Sequence, residues 1–252
     1  MGSLMESKAK KTDVIKDEFL LIAHRGGLFY RPENTLAAFQ HQLELGIRWV
    51  ECDLRLGRDG APVLVHDDRL MVPGSGYRQV REMSLKQLQQ YDAGGGEGVP
   101  TLRRLFEKFG NSLFFDLELK ELDAVEPVVK LISEFKVASR LFLTSFIPEV
   151  LQQLREIAGE LPRGLLIDRI SGVLVDGNSA VHTAGLLGCR YLLPEFHILN
   201  RDWIASAHAA GIGIIPWTVN RLRDAERLKE MGVDGLISDK PDQFAEVGKL
   251  ES

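Results

Sequence analysis

Cysteine is scarce in this chain: Cys52 and Cys189 are the only two among 252 residues. A scaffold stapled by several disulfides is thereby excluded, and two thiols suit a reducing compartment. Positive charge is not in surplus either, since 31 Lys and Arg stand against 36 Asp and Glu, a formal net charge of −5. Without a basic field, nucleic acid is not expected as a partner, and affinity for an anion must come from a local site. Long apolar runs are missing too. Runs such as Phe19 to Ala23 and Ile212 to Ile215 have strand length, short of the ~18 residues that a membrane helix needs. Stable membrane insertion is therefore not expected. The first residues are polar and Lys-rich with no apolar signal core, so residues 1–18 read as a flexible tail and the chain as cytoplasmic.

What is present is a regular alternation. Short aliphatic or β-branched runs end at His24, Asp53, His66, Lys120, Ser145, Asp168, Glu195, Trp217 and Asp239, with helix-period segments such as Glu33–Leu45, Ile147–Ala158 and Arg221–Met231 between them. Strand–helix alternation predicts a parallel sheet covered by helices. Those runs number nine, whereas a closed barrel of this type takes about eight. The extra one has a local cause: no helix fits between Asp53 and His66, and Asp59-Gly60 signals a tight turn. The strand ending at His66 is expected to return antiparallel, and Pro62 agrees with an edge position. The expectation is an α/β fold, a (β/α)8 TIM barrel over 19–247 as one domain. It carries a β-hairpin and a small insertion, at about 67–112, after the second barrel strand. A two-residue turn would set Asp53 opposite His66, with Cβ atoms about 4.5–5.5 Å apart.

Polar residues cluster at the strand ends, where such barrels carry their chemistry. Glu51 and Asp53 alternate with Val50, Cys52 and Leu54, so both carboxylates share one strand face. Asp116, Glu118 and Lys120 share a face likewise. Acids facing a barrel interior are costly unless paired or metal-bound. Glu51, Asp53 and Glu118 suit one hard divalent cation, Mg²⁺ or Ca²⁺; an ion-pair network with Lys120 is the plain alternative. His24 and His66, each at the mouth beside carboxylates, form a candidate acid–base pair. Arg25 and Lys120 offer two cations to a phosphate. With a divalent ion present, three carboxylates and these two cations leave a site of net positive charge, which a singly charged phosphodiester neutralises. A carboxylate ligand would do so as well.

In this order and spacing the residues resemble the glycerophosphodiester phosphodiesterase family. The resemblance rests on His24-Arg25-Gly26, Pro32-Glu33-Asn34-Thr35, Glu51-Cys52-Asp53, Asp59-Gly60 and His66-Asp67. It continues through Pro100-Thr101-Leu102, Glu118-Leu119-Lys120, Ser145-Phe146, Trp217-Thr218-Val219-Asn220 and Gly232-Val233-Asp234-Gly235. It implies a phospholipase-C-like barrel that hydrolyses small glycerophosphodiesters to glycerol 3-phosphate and an alcohol. Glu51, Asp53 and Glu118 match the family's metal ligands, His24 and His66 its acid–base pair, and Arg25 and Lys120 its phosphate-binding positions. His24 is favoured as base and His66 as acid, an order that the sequence leaves open. The chain departs from the family after His66-Asp67, where Asp68 to Tyr77 replaces a short Arg- and Thr-containing motif at the site rim. Gly94-Gly95-Gly96 suggests mobility in this insertion.

Other residues divide between two readings. Trp217 either walls the pocket or belongs to the core. Glu33 and Asn34 either orient the site or cap a helix. Asp116 reads as support behind the site, and Asp168, Glu195 and Asp239 as strand-end acids that bind substrate hydroxyls. Cys52 reads as helix-facing packing, Cys189 as inert, His41 as exposed, and His182, His197 and His208 as surface or capping residues. The rival functions are a lysophospholipase D or sphingomyelinase-D-like lipid phosphodiesterase and a non-catalytic phosphate-ligand-binding barrel. The first would want an apolar lip, for which Leu70 to Tyr77 offers little; the second could dispense with a histidine or an acid.

Overall fold

The computed structural model describes residues 19–169 and 177–245. The tail expected over 1–18 and the expected domain end at 246–247 lie outside the described residues. The first half of the chain runs β1 (Leu20–Ala23), α1 (Leu36–Glu44), β2 (Trp49–Leu56) and β3 (Pro62–Leu64). Then come β4 (Arg69–Val72), β5 (Gly76–Gln79), α2 (Leu85–Gln90), β6 (Asp92–Gly94), β7 (Glu97–Gly98) and α3 (Leu102–Phe109). Strict alternation follows: β8 (Phe114–Leu119), α4 (Val125–Phe135), β9 (Leu141–Ser145), α5 (Pro148–Ile157) and β10 (Arg163–Ile167). It continues with α6 (Gly177–Leu186), β11 (Tyr191–Pro194), α7 (Arg201–Ala209), β12 (Gly213–Ile214), α8 (Leu222–Met231) and β13 (Gly235–Ser238).

Eight of these strands pair in the order β12-β11-β10-β9-β8-β2-β1-β13, all parallel, and β3 pairs antiparallel on β2. The ring nearly closes between β12 and β13. There the Asp234 N–H donates to the Ile214 carbonyl at 2.8 Å and the Ile237 N–H to the Pro216 carbonyl at 3.0 Å. This is the expected TIM barrel, and the surplus strand is the return strand. Inside the barrel pack Leu20, Ile22, Phe142, Leu166, Leu193, Ile215 and Ile237. Between strands and helices lies a larger core in which Cys52 sits with Val50, Leu54, Phe106 and Leu117, on the helix side. Alternation along β2 and β8 therefore sends the acids inward.

The hairpin register differs by one residue from expectation. Leu54 pairs with Leu64 and Leu56 with Pro62, and the Val65 N–H donates to the Asp53 carbonyl at 3.0 Å. Asp53 thus faces Val65, not His66. The loop holds three residues, not two: Gly57 and Ala61 close it through an N–H···O bond of 3.1 Å, and Gly60 adopts φ +73°. Such a loop needs its left-handed residue, which glycine adopts without a Cβ clash.

Within 67–112, Leu70, Val80, Met83, Leu88 and Val99 pack on Val63 of the return strand and on Val65 just beyond it. Glu97 ties this segment to the barrel, since its two carboxylate oxygens accept the Leu36 and Ala37 N–H groups at 3.1 Å each. Those donors begin α1 and have no partner within the helix.

Candidate active site at the barrel mouth

His24 and Arg25 follow β1 in a tight turn. Arg25 takes φ +50°, a left-handed conformation that costs a non-glycine residue roughly 1–2 kcal/mol. The turn aims the Arg25 N–H at Glu51 Oε2, 2.8 Å away. The Arg25 guanidinium then lies 2.9 Å from Glu33 and 3.3 Å from Asp53 Oδ2. Gly27, at φ +85°, lets the chain pass over α1, because a Cβ there would come within 2.2 Å of the Gln42 amide nitrogen.

Parallel pairing of β2 and β8 sets Glu51 beside Asp116 and Asp53 beside Glu118. One carboxylate oxygen from each of Glu51, Asp53 and Glu118 lies within 4.8 Å of the others, and all three residues are buried. The Lys120 ammonium sits 2.9 Å from Asp53 Oδ1 and also contacts Glu118. Asn34, itself at φ +56°, donates to Asp53 Oδ2 at 2.8 Å and accepts the Asp53 N–H at 3.2 Å. Capping of α1 falls to Thr35, whose hydroxyl accepts the Ala38 N–H at 3.1 Å. Asn34 therefore orients the acid. Asp116, expected as support behind the site, also lines the cavity and accepts the Thr144 hydroxyl at 2.6 Å.

Electrostatics separate the acids. Burial, then its neighbours Asp53, Asp116 and Glu118, push Glu51 well above the usual carboxylate range. Burial also raises Glu118; the repulsion of Asp53 adds to it and the attraction of Lys120 opposes it, bringing Glu118 to about 7. Burial would raise Asp53 as well, but Lys120 and Arg25 outweigh it and bring the group to about 2.

Despite the register shift, His66 and His24 line one cavity of about 180 Å³ together with Arg25, Glu51, Glu118 and Lys120. Trp217 and Phe146 form an aromatic wall with ring centroids 5.5 Å apart. The Trp217 indole N–H donates to the Leu193 carbonyl at 2.8 Å, which fixes the ring. Both imidazoles meet a carboxylate at Nδ1: His24 meets Asp239 at 2.6 Å and His66 meets Asp67 at 2.8 Å. A larger groove of about 1060 Å³ runs outside the barrel along α3 and α4, and charges on its walls pair with each other, as in Arg103–Glu134 and Arg104–Glu107.

The model of the glycerophosphoryl diester phosphodiesterase family matches residues 24–243. The chain belongs to this family. A glycerophosphodiester phosphodiesterase of Caldanaerobacter subterraneus is 32% identical over 236 residues, covering 88% of this chain and 95% of the relative. Another, from Bacillus subtilis, is 25% identical over 270 residues, with 96% and 91% covered. Among solved structures, an Oleispira antarctica phosphodiesterase in complex with the product sn-glycerol-3-phosphate superposes with a TM-score of 0.79. It is 27% identical, and the match covers 91% of this chain and 96% of that one. The Thermotoga maritima glycerophosphodiester phosphodiesterase, 24% identical with a TM-score of 0.77 over 92% of this chain and 100% of that one, shares the barrel. As a glycerophosphoryl diester phosphodiesterase family member, the chain is an enzyme of the phosphoric diester hydrolase class.

The donor set fits the divalent ion expected for this family. Three buried carboxylates converge, and Glu51 Oε1 is buried without a hydrogen-bond partner among the described residues. Hard cations take oxygen ligands of this kind. The expected ion-pair network exists beside it, because Lys120 bridges Asp53 and Glu118.

Several partnerships escape the sequence. Asp239, expected to meet substrate hydroxyls, is instead engaged by His24 and by the Asn220 amide at 2.5 Å. Of the other two strand-end acids, Asp168 lines the cavity and Glu195 pairs with Arg169 and His197. His208 pairs with Asp234 at 2.9 Å, and His41 is half-buried with its ring against Tyr30 rather than exposed. His182 is exposed. Both thiols are buried and unpaired, and burial pushes Cys189 up to about 12, which keeps it inert. The one available signal for Asn220 and Asp239 is their place in strand-end motifs.

Proposed function

We propose that this enzyme hydrolyses small glycerophosphodiesters to glycerol 3-phosphate and an alcohol, using one divalent cation, Mg²⁺ or Ca²⁺, on Glu51, Asp53 and Glu118. The observation that carries the reading is Glu51 Oε1, buried and unpartnered within a three-carboxylate cluster in a cavity that two imidazoles share. When bound, the cation supplies Lewis-acid polarisation of a phosphoryl oxygen. Arg25 and Lys120 hold phosphoryl oxygens and stabilise the charge that builds in the transition state. His24 removes a proton from the nucleophile, water or the neighbouring glycerol hydroxyl, as the new O–P bond forms; where the glycerol hydroxyl attacks, water then opens the cyclic phosphate to glycerol 3-phosphate. His66 delivers a proton to the departing alkoxide as the ester O–P bond breaks. Trp217 walls the glycerol side and limits water.

The lining of the cavity supports a water-soluble substrate. Apart from Phe146, Leu166, Trp217 and Ile237 its walls are charged or polar side chains, which suit a glycerol phosphate and not a lipid tail. The segment from Leu70 to Tyr77 makes a thin apolar lip for a lipid, because Leu70 is buried and only Met71 and Tyr77 among its large hydrophobic side chains are exposed. The free, buried thiols of Cys52 and Cys189 support cytoplasmic residence; no described helix is long and apolar enough to cross a membrane. A single domain over 19–247, with residues 67–112 as an insertion, completes the reading.

The test offers glycerophosphocholine, glycerophosphoethanolamine and a lysophospholipid to the protein, with Mg²⁺, Ca²⁺ or chelator. Release of glycerol 3-phosphate with a cation, abolished by chelator, is expected. His66→Ala should lower turnover by at least ~10²-fold. Lysophosphatidate as the main product would favour the lipid enzyme, and no turnover with any cation would favour a binding module.

A further inference from the structure

The His24 imidazole is held by a half-buried relay that the proposed reaction needs and that neither the family match nor the relatives' names assign. His24 Nδ1 lies 2.6 Å from Asp239 Oδ1. The other oxygen, Asp239 Oδ2, accepts the Asn220 side-chain N–H at 2.5 Å. The Asn220 amide can point only one way, because its Oδ1 accepts the Asp239 backbone N–H at 3.0 Å and the Ser238 hydroxyl at 3.1 Å. Its Nδ2 must therefore face the carboxylate. Burial would raise Asp239, but the bonds from His24 and Asn220 prevail and the group stays below its ordinary value, so it is an ionised acceptor near neutral pH. An ionised carboxylate only accepts, which requires the proton of a neutral His24 to sit on Nδ1.

We infer that Asp239, braced by Asn220, is the positioning residue that fixes the His24 tautomer and turns a bare Nε2 toward the cavity, which makes His24 the proton acceptor. The inference rests on the acid–base reading of the preceding section and orders its two histidines. The contrast with His66 supports that order. His66 also meets a carboxylate, yet the Asp67 side chain is 72% exposed whereas Asp239 is 20% exposed, and among the described residues no further side chain braces Asp67. A solvated partner exchanges freely with water and holds a ring less firmly than a braced one. In the reaction the Nε2 lone pair takes the hydroxyl proton while Nδ1 keeps its own proton against Asp239. Asp239 changes neither charge nor protonation.

The experiment reads the tautomer directly. Protein labelled with ¹⁵N-histidine is examined at a pH where the imidazoles are neutral, the His24 signals being assigned by their loss in His24→Gln. The unsubstituted protein should show the proton on Nδ1, and Asn220→Ala and Asp239→Ala should shift His24 toward the Nε2-protonated form. Steady-state kinetics on glycerophosphocholine should show Asp239→Ala losing about 10²-fold or more in kcat with little change in KM, and Asn220→Ala losing less. A purely structural role would lower thermal stability without moving the tautomer. A proton on Nε2 in the unsubstituted protein, or parental kcat in folded Asp239→Ala, would overturn the inference. Absence of turnover by the unsubstituted protein would instead sink the functional reading, and the nitrogen spectrum would still decide whether Asp239 sets the tautomer.

Discussion

Lys120 reaches back from the end of β8 to Asp53 on β2, its ammonium 2.9 Å from Oδ1 in a side-chain environment only 11% and 1% exposed. The same ammonium touches Glu118. The contact gives two buried carboxylates a counter-charge within the protein. Lys120→Met keeps the length of the side chain and removes that charge. Breaking a buried pair from one side typically costs about 3–5 kcal/mol. Urea unfolding in chelator should show a loss of that order, and adding Mg²⁺ or Ca²⁺ should restore part of it. A loss under about 1 kcal/mol would mean that solvent already screens the pair.

Uptake of the cation should depend on pH through Glu118. Its value of about 7 means that below pH 7 an incoming ion must displace a proton, and Glu51, also raised by burial, adds to the competition. Apparent affinity should fall by tenfold or more per unit as the pH drops from about 7, with protons released on binding. Calorimetry in two buffers of different ionisation heat measures both. The stability signs oppose each other. The contribution of Glu118 is full below its ordinary 4.5 and is lost as the pH rises through about 7. That of Asp53 is full above 3.8 and is lost as the pH falls through about 2.

Asn34 combines a left-handed backbone with two hydrogen bonds to a buried acid. Asn34→Ala should cost about 2–4 kcal/mol, since alanine pays for the conformation and leaves Asp53 short of a donor. Asn34→Gly removes only the side chain and should be milder by about 1 kcal/mol. Equal losses in chemical denaturation would assign the whole effect to the amide.

Glu97 accepts two N–H groups at the start of α1 from across the insertion. Glu97→Ala should lower stability by about 1 kcal/mol. In a domain of this size that corresponds to a Tm fall of about 2–4 °C. An unchanged Tm would show that Thr35 caps the helix without help.

Much of this protein follows from its linear order. Alternation with period two is local, so it decides that Glu51 and Asp53 share a face and that Cys52 lies on the other, and neighbours along the chain suffice to enforce it. Strand–helix alternation likewise leads to eight parallel strands, because a parallel connection needs a crossover and each crossover here includes a helix. The three acids and two imidazoles at the strand ends were legible for the same reason. Tertiary structure decided what depends on closure. His24 meets Asp239 across 215 residues, a contact that exists only because the first and last strands become neighbours when the barrel closes. It also decided the hairpin register, where one left-handed glycine in a three-residue loop moved the partner of Asp53 by one position. The choice of Asn34 between capping a helix and holding an acid was settled in three dimensions as well. Hydrogen-bond partners are set by distance in space, and short-range pattern has no access to that until the ring is formed.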